Sequence, residues 1–582
     1  MVDRGCPLPQ SVGGVRIVTD ARGSEAFDVV VVGSGAGALT AALTAAEAGL
    51  SVVVLEKERH FGGASARSGG GLWIPGNRLA VAAGHPDSRE EALTYLRHEA
   101  GALFDEDRAG AFLDHAPAMF DLVCEQTSLS FVLLTNSDYH PHHPGGKAVG
   151  RSVMPRSIDG RALGADLARL RPPLAASTFA GMQIGIEDFY AFNTATRRAK
   201  SALRVAKRLA RRAADGVRYG RSVRLASGNA LVGGLAIRCR ELGVRIETGA
   251  PVRELVCEGD RMTGVLADLT GSLTALTARC AVILATGGFP HDGARRARLF
   301  PAGARADEAC SLMPHGNTGD GLHMGEKAGG RAEGRMKSAV ALSPISRIDT
   351  SEGTLAGFPI FAHRGDPGKI AVRRDGRRFT DEAASYHDFC AGLLQAAGCE
   401  ADASAWIVSD HRSLRRYGLG IAHPGLPIVP HVRSGYLLRG RTLRELAQAA
   451  GIDRAALEET VARFNRHARE GSDPDFGRGS NVYDLWAGDP AHRPCPCLGP
   501  LETGPFYALR VFAGCVGTFA GLVTDAAARV LDERDAPIAG LYAVGNDCAS
   551  ITGGDYIAGG CTLGPAMTFG YIAARHIAAG AG

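Results

Sequence analysis

Six small residues, Gly33-Ser34-Gly35-Ala36-Gly37-Ala38, follow the apolar run Phe27 to Val32 and precede an alanine-rich stretch from Leu39 to Gly49. That order suits phosphate binding. Gly33 permits a tight turn out of a strand, Gly35 lets the backbone approach a pyrophosphate, and Ala38 is small enough for a helix to close on the sheet. The helix N-terminus, just after the loop residues Ala36 and Gly37, offers free N–H groups and the positive end of its dipole to an anion. A second apolar run, Ser51 to Leu55, ends at Glu56-Lys57 and sets a carboxylate where an adenosine ribose needs an acceptor. Strand, loop, helix, strand and acid within about thirty residues read as a dinucleotide-binding unit.

The elements around this loop belong to a chain of 582 residues, long enough for more than one domain. Its 45% hydrophobic and 22% charged residues are those of a globular protein. The 77 glycines follow no fixed period, which excludes fibrous and low-complexity classes. No apolar run reaches membrane-spanning length, and the first 25 residues lack the apolar core of a secretory signal. Thirteen cysteines include no CxxC or CxxCH, so the reading is a reducing cytoplasm without a fused haem or zinc ribbon. Cys495-Pro496-Cys497 reads as two buried or loop thiols. His140, His142 and His143, spaced around Pro141 and Pro144, match no metal-ligand pattern and read as a solvated loop, so no metal is expected.

The net charge of +4 hides an island: eleven Lys and Arg between Arg197 and Arg224 are opposed within that segment only by Asp215. Leu203, Ala206, Leu209, Ala210, Ala213 and Val217 recur at helical spacing, with Arg204, Lys207, Arg208, Arg211 and Arg212 between them. A basic amphipathic helix after Phe189, Tyr190 and Phe192 reads as a peripheral membrane element across 189–221, on the inner face of a membrane. The alternative is a solvated or partner-binding face. Nucleic acid is not expected, because no nucleic-acid module accompanies the patch.

Three further stretches carry a resemblance. His60-Phe-Gly-Gly-Ala-Ser-Ala-Arg-Ser-Gly-Gly-Gly71 resembles the second pyrophosphate- and flavin-contacting loop of the fumarate reductase/succinate dehydrogenase flavoproteins. Ala281-Val-Ile-Leu-Ala-Thr-Gly-Gly288 and Gly540-Leu-Tyr-Ala-Val-Gly-Asn-Asp547 fit the same superfamily. The resemblance implies non-covalent FAD. Gly63, Ala64, Ser65, Ser68, Gly69, Gly70, Ala285, Thr286, Gly287, Asn546 and Asp547 would then be cofactor contacts. Thr562 and Leu563 would start a helix aimed at the flavin ring.

Within that superfamily, three segments are similar to the 3-ketosteroid Δ1-dehydrogenases: Asn136 to Gly146, Gly376 to Phe389, and Gly553 to Tyr571. The similarity runs from about Phe27 to the C-terminus and is of the longer, cholestenone-oxidising type. It implies that a 3-oxosteroid loses a C2 proton and a C1 hydride, with electrons leaving to a quinone-like acceptor. By the same resemblance, Tyr386 would be the base, Tyr139 would hydrogen-bond to it, and Tyr556 with the Gly560 N–H would hold the C3 carbonyl. Ile557-Ala558 stands where the family has Pro-Gly.

The expected fold class is α/β: a Rossmann-like FAD domain around a mostly parallel sheet, with a smaller α+β domain capping the substrate. The boundaries expected are 27–337 with the basic insert at about 179–224, then 338–504 for substrate, then 505–582 returning to FAD. Alternatives are 4-dehydrogenation of 3-oxosteroids, a fumarate- or urocanate-reductase-like activity, and a non-catalytic carrier of membrane lipids on the same fold.

Overall fold

The computed structural model describes residues 11–12, 15–16, 25–175, 178–305, 310–349, 355–401 and 403–581. Glu25–Val32 is a strand whose valines 29 to 32 are at most 4% exposed, as expected of a strand covered on both faces. It pairs in parallel with Val52–Glu56 on one side and Ser272–Leu284 on the other. Arg245–Thr248 and Pro537–Ala543 extend the parallel set. Arg261–Leu269, Val252–Glu258 and Arg529–Leu531 add antiparallel strands, giving an eight-stranded, mostly parallel sheet. The helix Ala36–Glu47 and the C-terminal helix Leu563–Gly580 pack together on one face of it.

A second sheet of six strands is wholly antiparallel and runs in the order Leu355–Pro359, Val340–Asp349, Phe506–Thr518, Ser404–Ser409, Lys369–Val372, with Leu438–Gly440 also on Phe506–Thr518. The helix Tyr386–Ala397 lies against Val340–Asp349. Phe506–Thr518 therefore sits in the second sheet, although it follows the expected boundary at 504; its residues 507–512 pair with 404–409 and its residues 512–518 with 340–345. A small sheet of Leu72–Trp73, Ser152–Pro155 and Phe131–Leu133 holds the loop that contains Tyr139.

The basic segment forms two helices, Ile186–Thr194 and Ala199–Tyr219. Acids of the first oppose bases of the second, with buried Asp188 taking Arg204 at 2.6 Å and Arg208 at 2.8 Å, and Glu187 takes Arg224 beyond the second helix. Ser201 and Val205 face inward, while Leu203 and Val217 are 58% and 93% exposed. Among the described residues, no helix is long and apolar enough to cross a membrane.

Candidate active site

Gly33 leaves its strand with φ of +105°, and a methyl group there would meet the Ala285 carbonyl oxygen at 2.2 Å. The first loop is thus pressed against the turn Ala285-Thr286-Gly287, as only glycine allows. The Ala36 N–H donates to Ser65 Oγ at 3.0 Å, joining first and second loops. Ser34 donates to Glu56 and accepts the Gly62 N–H at 2.9 Å, while Glu56 accepts the Glu58 N–H at 2.9 Å. Burial pushes the Glu56 carboxyl up despite these bonds. A continuous cleft runs along these elements, and every residue expected to hold the cofactor lies on its wall except Asp547.

Asp547 stands behind the wall, fully buried, accepting N–H groups of Thr286 and Gly288 and the Thr286 hydroxyl. It braces the Ala285–Gly287 turn. Lys57 is on the wall with its ammonium held by Thr318 at 2.7 Å and Asp320 at 2.6 Å. Thr562 and Leu563 bring the C-terminal helix start to the cleft, and Thr562 makes no capping bond with its own side chain. Glycine-walled at one end, acid-bearing beside it and apolar at the other, the cleft fits an extended flavin dinucleotide.

The three expected tyrosines, from three distant segments, meet at the apolar end. Ring centroids are 5.6 Å apart for Tyr139 and Tyr386, 5.0 Å for Tyr386 and Tyr556, and 6.0 Å for Tyr139 and Tyr556. Tyr386 opens its helix, whose start is fixed by Ser385 Oγ accepting the Asp388 N–H at 3.1 Å. Tyr139 and Tyr556 are the ionisable groups nearest its hydroxyl, and their phenols oppose its ionisation. Burial pushes all three phenols above their ordinary range. Tyr386 and Tyr556 line the cleft; Tyr139 stands behind them, 8% exposed.

Gly560 also lines the cleft, with φ of +95°, and a Cβ there would lie 2.6 Å from the Leu72 carbonyl carbon. Its own N–H has no acceptor among the hydrogen bonds of the described residues, as a donor reserved for a ligand requires. Ile557, in the place of the family's proline, contributes a carbonyl that accepts the Tyr139 N–H and the Tyr95 hydroxyl, both at 2.8 Å. The departure in sequence is accompanied by a tied-down turn.

The histidine loop differs from its expected solvated state. His140 Nδ1 lies 3.0 Å from Glu99 and its Nε2 2.9 Å from Asp388, while His143 Nδ1 lies 2.7 Å from the other Glu99 oxygen. Burial alone would depress His140, but the bonds to Asp388 and Glu99 outweigh it and push it up to about 11. Ligand atoms of Glu99, His140 and His143 lie within 4.8 Å of one another; the close donor–acceptor pairs make this a charged hydrogen-bond cluster. Sequence reasoning missed Glu99, which belongs to a helix and lies 41 residues before His140, and Tyr483, whose ring is 4.9 Å from Tyr139. It also missed the apolar walls Leu134, Met154, Pro359, Phe361 and Val516, which no periodicity marks.

The FAD binding domain family model matches residues 28–563. The chain is 39% identical over 566 residues to the 4-oxocyclohex-2-ene-1-carboxylate 5-dehydrogenase of Sinomonas cyclohexanicum, covering 95% of this chain and 94% of the relative. It is 37% identical over 570 residues to the 3-oxosteroid 1-dehydrogenase of Mycobacterium tuberculosis, covering 96% and 99%. The crystal structure of 3-ketosteroid Δ1-dehydrogenase from Sterolibacterium denitrificans, solved with 1,4-androstadiene-3,17-dione, superposes with a TM-score of 0.88 at 36% identity, covering 96% of this chain and all of that one. With the dinucleotide cleft and the tyrosine cluster in place, the chain belongs to the 3-ketosteroid Δ1-dehydrogenase family of FAD-dependent oxidoreductases.

Proposed function

We propose that this enzyme desaturates the C1–C2 bond of a 3-oxosteroid. The observation that carries the reading is the apolar end of the cleft: Leu134, Met154, Pro359, Phe361 and Val516 surround Tyr386 and Tyr556, and the charged residues of the cleft wall cluster instead at the Glu56 end. A carboxylated cyclohexenone, the substrate named for one relative, would set its anion against a wall without charged side chains, at a cost an apolar ring system avoids.

FAD, when bound, supplies the two-electron acceptor for the C1 hydride. Tyr556 and the free Gly560 N–H donate to the C3 oxygen, which acidifies the C2 proton by stabilising the developing enolate. Tyr386, coupled to Tyr139, takes that proton, which requires an ionised phenol in a site where burial opposes ionisation. Electrons then pass to a quinone-like acceptor.

The exposed stripe of Leu203 and Val217, with Phe189 and Tyr190 more than half exposed beside it, favours docking at a lipid surface, where an apolar steroid partitions.

The decisive experiment mixes yellow enzyme anaerobically with 4-androstene-3,17-dione, with 4-cholesten-3-one and with 4-oxocyclohexanecarboxylate. Flavin bleaching by the steroids, with 1,4-dienone products, supports the reading. Bleaching by the keto acid alone replaces it.

A further inference from the structure

Arg364 is a buried cation without an acid. Its residue is 3% exposed; Nη1 donates to the carbonyls of Ile360 at 2.6 Å and Phe361 at 2.9 Å, and Nη2 to that of Ala384 at 2.6 Å. Its Nε has no partner. Other buried cations of this part of the chain are treated differently: Lys369 meets Asp366 at 2.7 Å, Arg378 meets Glu382 at 2.7 Å, and Arg478 meets Glu382 at 3.0 Å. An unpaired interior charge is costly, so its retention calls for a use.

The ionisable groups that face Arg364 are Tyr483, Cys390, Tyr139 and Asp381. Burial and then the neighbouring Asp484 push the Asp381 carboxyl up to about 8, which disfavours its charged form. Asp388, which also faces Tyr483, is engaged by His140. At rest, then, the guanidinium looks onto phenols, a thiol and a carboxyl whose charged forms burial disfavours. Its hydrogen bonds also clamp both sides of the site, because Phe361 packs 4.9 Å from the Tyr386 ring and Ala384 lies two residues before Tyr386.

We infer that Arg364 is a positioning residue whose unpaired charge acquires its counter-ion when a proton leaves the Tyr139–Tyr386–Tyr483 cluster, and so favours the phenolate form that dehydrogenation needs. This rests on the reading of Tyr386 as base. Neutral carbonyls orient the guanidinium without cancelling it, so its field is left for a phenolate that forms nearby.

The test compares FAD-loaded wild type, R364K and R364Q. Two quantities are followed across pH: the rate of anaerobic flavin reduction by 4-androstene-3,17-dione, and, without steroid, the near-ultraviolet titration of phenolate. In R364Q the rise of the rate with pH should move up by about one unit, a loss of about tenfold at neutral pH that shrinks in alkali, and the first phenolate to form should titrate later. R364K keeps the charge and should keep the position of the rise, even at a lower plateau. A uniform rate loss in R364Q at every pH, with the phenolate titration unmoved, would overturn the inference and leave Arg364 a clamp. If steroid fails to reduce even the wild type, the reading of function fails while the steroid-free titration still decides Arg364. Should R364Q not retain FAD, R364K decides alone: a rise that stays in place supports the inference, and one that moves overturns it.

Discussion

His140 Nε2 lies 2.9 Å from Asp388 Oδ2, and that contact ties the loop carrying Tyr139 to the helix that begins at Tyr386. Replacing it by H140Q removes a protonated imidazole from between Glu99 and Asp388, for an expected loss of about 3 kcal/mol. The sign of the pH dependence follows from the raised His140: its contribution is complete below the ordinary histidine value and fades as pH climbs through about 11. Glu99 and Asp388 are held below the usual carboxylate range; burial opposes this, and the bonds to His140 outweigh it, so their contribution fades as pH falls through those lowered values. Thermal melts of wild type should therefore show an alkaline decline that H140Q lacks.

Y386F should keep its flavin, because the ring still packs against Phe361 and Tyr556. Flavin reduction by a 3-oxosteroid should slow by about 10² to 10⁴, the usual contribution of a general base. Stopped-flow bleaching measures it; a rate within a fewfold of wild type removes Tyr386 from the role.

Y556F removes one of the two donors to the carbonyl oxygen. The expected cost is about 3 kcal/mol in the barrier, seen in the reduction rate more than in steroid affinity. Comparing the dissociation constant for product with the reduction rate separates the two effects.

G33A tests the cradle. The φ of +105° and the 2.2 Å approach to the Ala285 carbonyl leave no room for a methyl. The backbone has to shift at a cost of about 2 kcal/mol or more, and the purified variant should carry markedly less FAD, read from its visible spectrum.

L203D/V217D places two acids on the exposed stripe of Ala199–Tyr219 without touching Asp188 or the core. Flotation with anionic liposomes should be lost while turnover of a freely dissolved steroid is kept. Unchanged flotation would assign the stripe to another partner.

The dinucleotide unit could be read from sequence because its parts are contiguous: strand, Gly33 to Ala38, helix and Glu56 lie on one short stretch, and each residue type has a local reason. The tyrosines could be placed only through family resemblance, since nothing local to Tyr139, Tyr386 or Tyr556 says that their rings meet. Glu99 and Arg364 were invisible for a related reason. Each looks like an ordinary charged residue until the fold removes its water and shows what faces it. The expected boundary at 504 missed the long strand after it, because an apolar run does not announce which of two sheets it joins.

That strand, Phe506–Thr518, makes the two halves of this protein a poor kit of parts. Segment 338–504 looks like a cassette that could be traded between relatives to change substrate, yet the sheet it builds is completed from outside. Of the apolar wall, Pro359 and Phe361 would travel with such a cassette, while Val516, Met154 and Leu134 would stay behind with the recipient. A chimaera cut at those points inherits a substrate wall from two parents, so specificity in this architecture has to be altered on both sides of the cleft together.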